Sequence, residues 1–272
     1  RYELRTLSPM QRDMVLDTLV QPDTLKNSLG YHFITDGEFD VDAWVAASKK
    51  LVQDHPLLRA GIVVSDLPYT DVAYLCIDKN GSVEPVIEDW TDRQTSDEAA
   101  AQQAQSLIWQ PYDIAGALSQ YFIFKLDRGR HLVVFRMNHI ILDGAGMAVH
   151  LKHSIAYTQA LRSGMPCQPA PDIFAQYVED NRRRTDSAAV VAFWKQQSSS
   201  LEALDFAIPP SQKAQARRVE QSIRLTDQHW DRLQAFCTQH RITPSLYFKA
   251  LYGLLINAYC RGEDDFFVSE VV

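Results

Sequence analysis

Asn138-His139-Ile140-Ile141-Leu142-Asp143-Gly144, with Ala145-Gly146 behind it, decides how this chain is read. The seven residues ahead of it, His131-Leu132-Val133-Val134-Phe135-Arg136-Met137, are β-prone and largely apolar. After it a helical pattern runs from Met147 to Arg162, ended by Gly164 and Pro166. The motif therefore lies where a strand gives way to a helix, a place where α/β folds gather reactive groups. A histidine titrates near physiological pH, so His139 is the candidate catalytic residue: it can take a proton from an attacking amine or hydroxyl, or hold that nucleophile by a hydrogen bond. Asp143 need not touch a substrate. Its carboxylate can lock the turn by pairing with an arginine, and Gly144 can supply a backbone conformation or close approach that a Cβ would resist. Taken alone, the seven residues are equally well explained as a core histidine beside an Asp-Gly turn.

Outward from the motif, helical and strand patterns alternate as a layered α/β fold requires. Ser8 caps an expected helix over Pro9 to Val20, with proline at its first position, and Asp40 caps another over Val41 to Gln53 with Trp44, Ala47 and Leu51 on one stripe. Both stripes are expected in the core. Strands are expected at Ser28 to Thr35, Arg59 to Val64, Val72 to Ile77, Gln120 to Leu126 and His131 to Met137, with turns such as Asp78-Lys79-Asn80-Gly81 between them. The Pro-rich stretch Cys167 to Asp172 marks a crossing, which divides the chain into residues 1–170 and 171–272. Beyond it come helices around Tyr177 and through Phe193-Trp194, a break at Pro209-Pro210 and a strand from Arg218 to Leu225. A helix capped by Thr226 should follow with Trp230, Leu233 and Phe236 inward, and then one opened by Thr243-Pro244 that is apolar nearly all round and so expected to be buried.

Composition excludes several functions. With 27 basic against 34 acidic residues the net charge is −7, which argues against nucleic acid or an anionic membrane as principal partner. The cluster Arg182-Arg183-Arg184 reads as a solvated helix end. Cys76, Cys167, Cys237 and Cys260 are widely spaced, without a zinc-type arrangement, and fit reduced thiols in a cytoplasmic protein. The N-terminus lacks a signal-peptide core, and the longest apolar stretch, Leu246 to Cys260, holds Lys249 and Asn257 and is too short for the roughly 20 residues of a membrane span. His150 and His153 lie one helical turn apart without a third ligand at suitable spacing, so no metal site is expected and both read as surface or tunnel-edge residues. His55, ahead of Pro56, reads as a helix-terminal histidine. Neither a Gly-x-Ser-x-Gly elbow nor a Walker-type loop is present.

Three elements occur in one order: Leu7-Ser8-Pro9-Met10-Gln11-Arg12, Asp54-His55-Pro56-Leu57-Leu58-Arg59, and Asn138 to Gly144. They resemble the Ser-x-x-Gln-x-Arg, Arg-His-x-x-Leu-Arg and His-His-x-x-x-Asp-Gly elements of condensation domains from nonribosomal peptide synthetases, members of the chloramphenicol-acetyltransferase-like acyltransferases. Weaker similarity through Phe174-Ala175-Gln176-Tyr177, Phe193-Trp194 and Thr243 to Val272 extends the resemblance over nearly the whole chain. It implies an α/β fold with a layered sheet and flanking helices, one lobe at residues 1–170 and the beginning of a second at 171–272. The whole is a truncated two-lobe pseudo-dimer that should be inactive by itself. It also implies that His139 carries the catalysis, that Arg59 pairs with Asp143, and that Asn138 and Gly144 support the turn. Asn138 stands where the family has its first histidine, and an amide cannot shuttle a proton at neutral pH.

The function so implied is amide-bond formation between an acyl or aminoacyl thioester donor and an aminoacyl acceptor. Both would arrive on phosphopantetheine arms of upstream and downstream carrier proteins, next to an adenylation domain, with no bound cofactor and no metal. The alternatives are a stand-alone acyltransferase using coenzyme A thioesters, an epimerisation domain, and a non-catalytic recruitment module.

Overall fold

Period-two apolar patterns become strands and period-3.6 patterns become helices along most of this chain. The computed structural model describes residues 1–65, 73–199, 221–260 and 266. In chain order the elements are β1 (Tyr2–Thr6), α1 (Pro9–Val20), β2 (Ser28–Thr35), α2 (Val41–Asp54), β3 (Ala60–Val64), β4 (Ala73–Asp78), β5 (Val86–Asp89), α3 (Asp97–Ile108), β6 (Ser119–Lys125), β7 (His131–Asn138), α4 (Gly144–Arg162), α5 (Phe174–Thr185), α6 (Ala188–Ser198), α7 (Asp227–His240) and α8 (Pro244–Tyr259). They divide into two compact units, Arg1–Thr185 and Asp186–Val272. Helix α5, beyond the Pro-rich crossing, belongs to the first of these, with Phe174 packed against its core and Asp172 paired with Arg5 of β1 at 2.6 Å.

The first unit holds two sheets. One has the order β1-β4-β3, all antiparallel; the other has the order β2-β7-β6-β5, antiparallel except for the parallel pair β5 and β6. Strand β7 lies between β2 and β6 and is buried on both faces, which explains its near-continuous apolar run. Phe135 and Met137 face a core shared with Leu51 and Val52 of α2, Leu75 and Ile77 of β4, and Tyr157 of α4. Leu132 and Val134 face the other way, onto Ala100, Ala104 and Ile108 of α3. At about 1.5 to 3 kcal/mol for each large side chain removed from water, these two layers are the main force holding β7 in place.

Both expected helices near the N-terminus form, but only α2 buries the expected stripe, Trp44, Ala47 and Leu51. Helix α1 instead turns Gln11, Val15 and Thr18 inward and leaves Leu19 and Val20 in solvent. The core tolerates this because both polar side chains are bonded: Thr18 Oγ1 donates to Met14 O at 2.9 Å and accepts from Asn27 Nδ2 at 3.2 Å, and Gln11 reaches the motif turn. Strands β1 and β5 and helix α3 are additions to the expected elements. Helix α3 does carry a local signal: Ser96 caps it, Asp97 and Glu98 fill its first turn, and Ala100, Ala104 and Ile108 recur every four residues.

In the second unit, α7 opens on Thr226 as expected, whose hydroxyl accepts from His229 N, and closes on Arg241 in the left-handed region (φ 54°). The strand expected over Arg218 to Leu225 lies partly outside the described residues, and Gln221 to Leu225 are not in a strand. Two burial expectations fail here. Trp230 and Phe236 of α7 are exposed, with Cys237 buried instead, and on α8 Leu246, Leu251, Leu254 and Leu255 are all exposed. A hydrophobic pattern records that a face is suited to burial, not that these residues supply its cover.

Candidate functional site

The motif turn is built by backbone and side-chain hydrogen bonds from four directions. Strand β7 ends at Asn138, which is almost fully buried and whose backbone N donates to Leu118 O at 2.9 Å. Its side-chain Oδ1 accepts from Ile140 N at 3.0 Å and its carbonyl from Ile141 N at 3.1 Å, so Asn138 folds the chain back over itself. His139 N donates to Asn27 O at 2.8 Å, and Asn27 is in turn tied to α1 through Met14 O and Thr18 Oγ1. Gln11 Nε2 donates to Ile140 O at 2.7 Å while its Oε1 accepts from Ser8 N at 2.9 Å, completing a capping box at the start of α1. The backbone of the turn is thus held by both the N-terminal helix and the sheet. The His139 ring is half-buried and makes no hydrogen bond among the described residues.

Asp143 does not pair with Arg59. It is exposed at the N-cap of α4, where its Oδ1 accepts from Gly146 N at 2.6 Å. Unpaired backbone N–H groups and the positive end of the helix dipole satisfy the carboxylate there, so it needs no cation. Arg59 turns its guanidinium to backbone carbonyls, donating to Val52 O at 2.6 Å and Gln53 O at 2.7 Å at the end of α2, and to Asp78 O at 2.9 Å on β4. An arginine at a helix C-terminus meets carbonyls without hydrogen-bond partners and the negative end of the dipole, which replace the expected carboxylate.

The glycines also exchange roles. A Cβ at Gly144 would meet nothing within 4 Å, so neither strain nor crowding requires glycine there. The tight position is Gly146, where a Cβ would sit 2.7 Å from Leu142 Cδ2 and 3.1 Å from Asp143 Oδ1.

Beside the turn a cleft of about 420 Å³ is walled by Leu57, Ile141, Leu142, Val149, Ile173 and Phe174; His139 is not part of its wall. His55 lines it too, at the C-cap of α2 as expected, with its ring 5.6 Å from that of His153. Burial and the nearby His153 hold the His55 imidazole below its ordinary pKa. His150 is not a surface residue: it is buried in the core, and burial lowers its pKa to about 3. No group of three or more His, Cys, Asp or Glu among the described residues is placed to hold a metal. Among those residues no helix is long and apolar enough to cross a membrane.

Sheets with helices packed against their faces, and a histidine delivered by an inner strand to a capped turn, are arranged as in solved condensation domains, which fits the chloramphenicol-acetyltransferase-like fold expected from the sequence. The first condensation domain of the calcium-dependent antibiotic synthetase superposes with a TM-score of 0.73 at 17% identity, over 94% of this chain and 62% of that one. The starter condensation domain of rhizomide synthetase, in a variant bound to C8-CoA, gives 0.63 at 20% identity over 77% and 48%. The sequence model of the Condensation domain family matches residues 3–272, and the chain belongs to that family. Among curated proteins it is similar to a linear gramicidin synthase of Brevibacillus parabrevis, 25% identical over 97% of this chain, and to surfactin synthase subunit 2 of Bacillus subtilis, 22% identical over 96%. The chain spans only 5% and 7% of those two proteins.

Proposed function

We propose that this chain carries the reacting half of an amide-forming condensation domain, in which His139 serves the attacking amine. The observation that supports this reading best is the contrast within the turn: the backbone of Asn138, the amide of His139 and both backbone groups of Ile140 are hydrogen-bonded, while the His139 ring is half-buried and free of hydrogen bonds to described residues. An imidazole held by its backbone but not by its ring is available to a substrate. The amine nitrogen of a carrier-bound aminoacyl acceptor attacks the thioester carbonyl of a carrier-bound donor. His139 accepts a hydrogen bond, and then the proton, from that nitrogen, and the carbon–sulfur bond breaks to release the phosphopantetheine thiolate.

Holding both reactants in line supplies most of the acceleration, on the order of 7 to 11 kcal/mol, against roughly two to four powers of ten for general-base help. No resident cofactor takes part in this scheme. The partners are the upstream and downstream carrier proteins and a neighbouring adenylation domain, and the setting is cytoplasmic. In this scheme the lobe that carries the turn runs on through α5 to Thr185, past the Pro-rich crossing, and the second lobe opens after it. The solved relatives extend well beyond the portion matched here, and the scheme assigns to that remainder the opposite wall of the substrate passage, so residues 1–272 by themselves should not turn over.

Asn138, Asp143, Gly144 and Arg59 are not reacting groups in this scheme; Asn138 closes the turn in place of a histidine. The test is His139→Ala in the intact protein, with donor and acceptor carriers loaded and amide formation followed by mass spectrometry. Product formation should fall by two or more powers of ten with carrier loading unchanged. Near-normal turnover would overturn the assignment and favour a recruitment role.

A further inference from the structure

Three side chains stand in one row across the second sheet: Tyr31 on β2, Phe135 on β7 and Tyr121 on β6, paired by strand register. His150 of α4 lies flat on the middle ring, with centroids 3.9 Å apart and planes at 9°. Each of its nitrogens reaches a flanking tyrosine: Nδ1 is 2.9 Å from Tyr31 Oη, and Nε2 is 2.9 Å from Tyr121 Oη.

The proton positions follow from satisfaction of buried donors. Among the described residues Tyr121 Oη has no hydrogen-bond partner but His150, so its hydroxyl must donate to Nε2. Nδ1 then carries the ring proton and donates to Tyr31 Oη. The Tyr31 hydroxyl is free to donate to Ser154, whose own hydroxyl donates to His150 O at 2.9 Å. The reverse tautomer would leave the Tyr121 proton buried without an acceptor.

A core position over a phenylalanine needs no histidine for stability, because an apolar side chain of similar size would pack there without polar atoms to satisfy. What the imidazole adds is direction. Stacking alone lets a helix slide and turn over a sheet, whereas two in-plane bonds to opposite neighbours fix both motions. His150 lies six residues after Gly144, about 9 Å of helix from the turn that β7 delivers from the other side.

We propose that the Tyr31–His150–Tyr121 bridge is a positioning device that sets the placement of α4, and with it of the His139 turn, relative to the sheet. The proposal rests on the reading of His139 as the reacting residue. It is tested in the intact protein with the apolar triple variant Tyr31→Phe, His150→Leu, Tyr121→Phe, which leaves no buried polar atom orphaned. The variant should melt at or above the temperature of the parent. Its kcat for amide formation should fall by up to about 10²-fold, with KM for the loaded carriers unchanged, and the Ile140 and Ile141 methyl resonances should shift. Parent-like kcat together with unshifted methyl resonances would overturn it.

Should the triple variant fail to fold, the single Tyr121→Phe gives the same readouts with smaller expected changes, and parent-like values for both again count against the bridge. His139→Ala, run in parallel, separates the two readings: if it turns over normally, the assignment of His139 falls and the methyl resonances alone decide on the bridge.

Discussion

Gln11 and Ile140 are 129 residues apart in the chain, yet the side-chain amide of the first donates to the carbonyl of the second at 2.7 Å. The bond fastens the first turn of α1 to the residue next to His139. Gln11→Ala removes it along with the bond to Ser8 N and should cost about 1 to 3 kcal/mol in urea unfolding, with a loss of turnover. Gln11→Glu separates the two effects. It keeps an acceptor for Ser8 N but sets a carboxylate against the Ile140 carbonyl, so it should damage turnover as much as alanine does. Parent-like kcat for both variants would show that α1 does not support the turn.

Arg59 and Asp143 should behave as independent residues. Asp143→Ala removes a helix cap at about 1 kcal/mol, and Arg59→Ala, which strips the carbonyls at the end of α2 of their donor, should cost about 1 to 3 kcal/mol. In a double-mutant cycle the coupling should stay below about 0.5 kcal/mol. A coupling of several kcal/mol would restore the ion pair that the structure does not contain.

The buried His150 makes stability fall in acid. Its pKa is near 3 in the folded chain, lowered by burial and then by the charges of His55 and His153, against about 6.5 when unfolded. Below pH 6.5 the unfolded chain binds a proton that the folded one does not, so this contribution is whole above pH 6.5 and drains away toward pH 3. On the order of 2 kcal/mol should be gone by pH 5. Urea midpoints from pH 7.5 to 4.5 should show this slope in the parent and a shallower one in the apolar triple variant; equal slopes would place the acid sensitivity elsewhere.

Gly144→Ala and Gly146→Ala should act in opposite ways. The first adds a methyl to open space at a helix start and should leave stability unchanged or raise it by up to about 1 kcal/mol. A fall in turnover without a loss of stability would then place a substrate arm against Gly144. The second pushes on Leu142 and on the Asp143 cap and should cost about 1 kcal/mol. Full turnover by Gly144→Ala would mean that no substrate passes there.

Elements with a marked end or a strong period are legible from residues alone: α1 begins at the Ser8-Pro9 cap although it carries almost no apolar period, and β2 runs where the turn residues and the apolar alternation place it. Strand β5, Val86–Asp89, is not, because four residues with exposed side chains carry no alternation and owe their form to pairing with β6. At the site, the residue types are legible but their partners are not. Arg59 and Asp143 are charges that a linear reading naturally joins, but helix ends offer each a backbone partner that no spacing rule displays. His150 escapes a linear reading for a related reason: a histidine on a helix looks solvent-facing until the two tyrosines from distant strands are placed beside it.

Strand β7 is bonded along its length to β2 on one side and β6 on the other, and it is covered on both faces. Its amide protons should therefore be among the last to exchange with solvent, released only when the whole unit opens. His139 follows directly on that strand. Its backbone should therefore outlast fraying of elements that do not touch the turn, whereas release of α1, which carries Gln11, should cost activity before the cooperative melt.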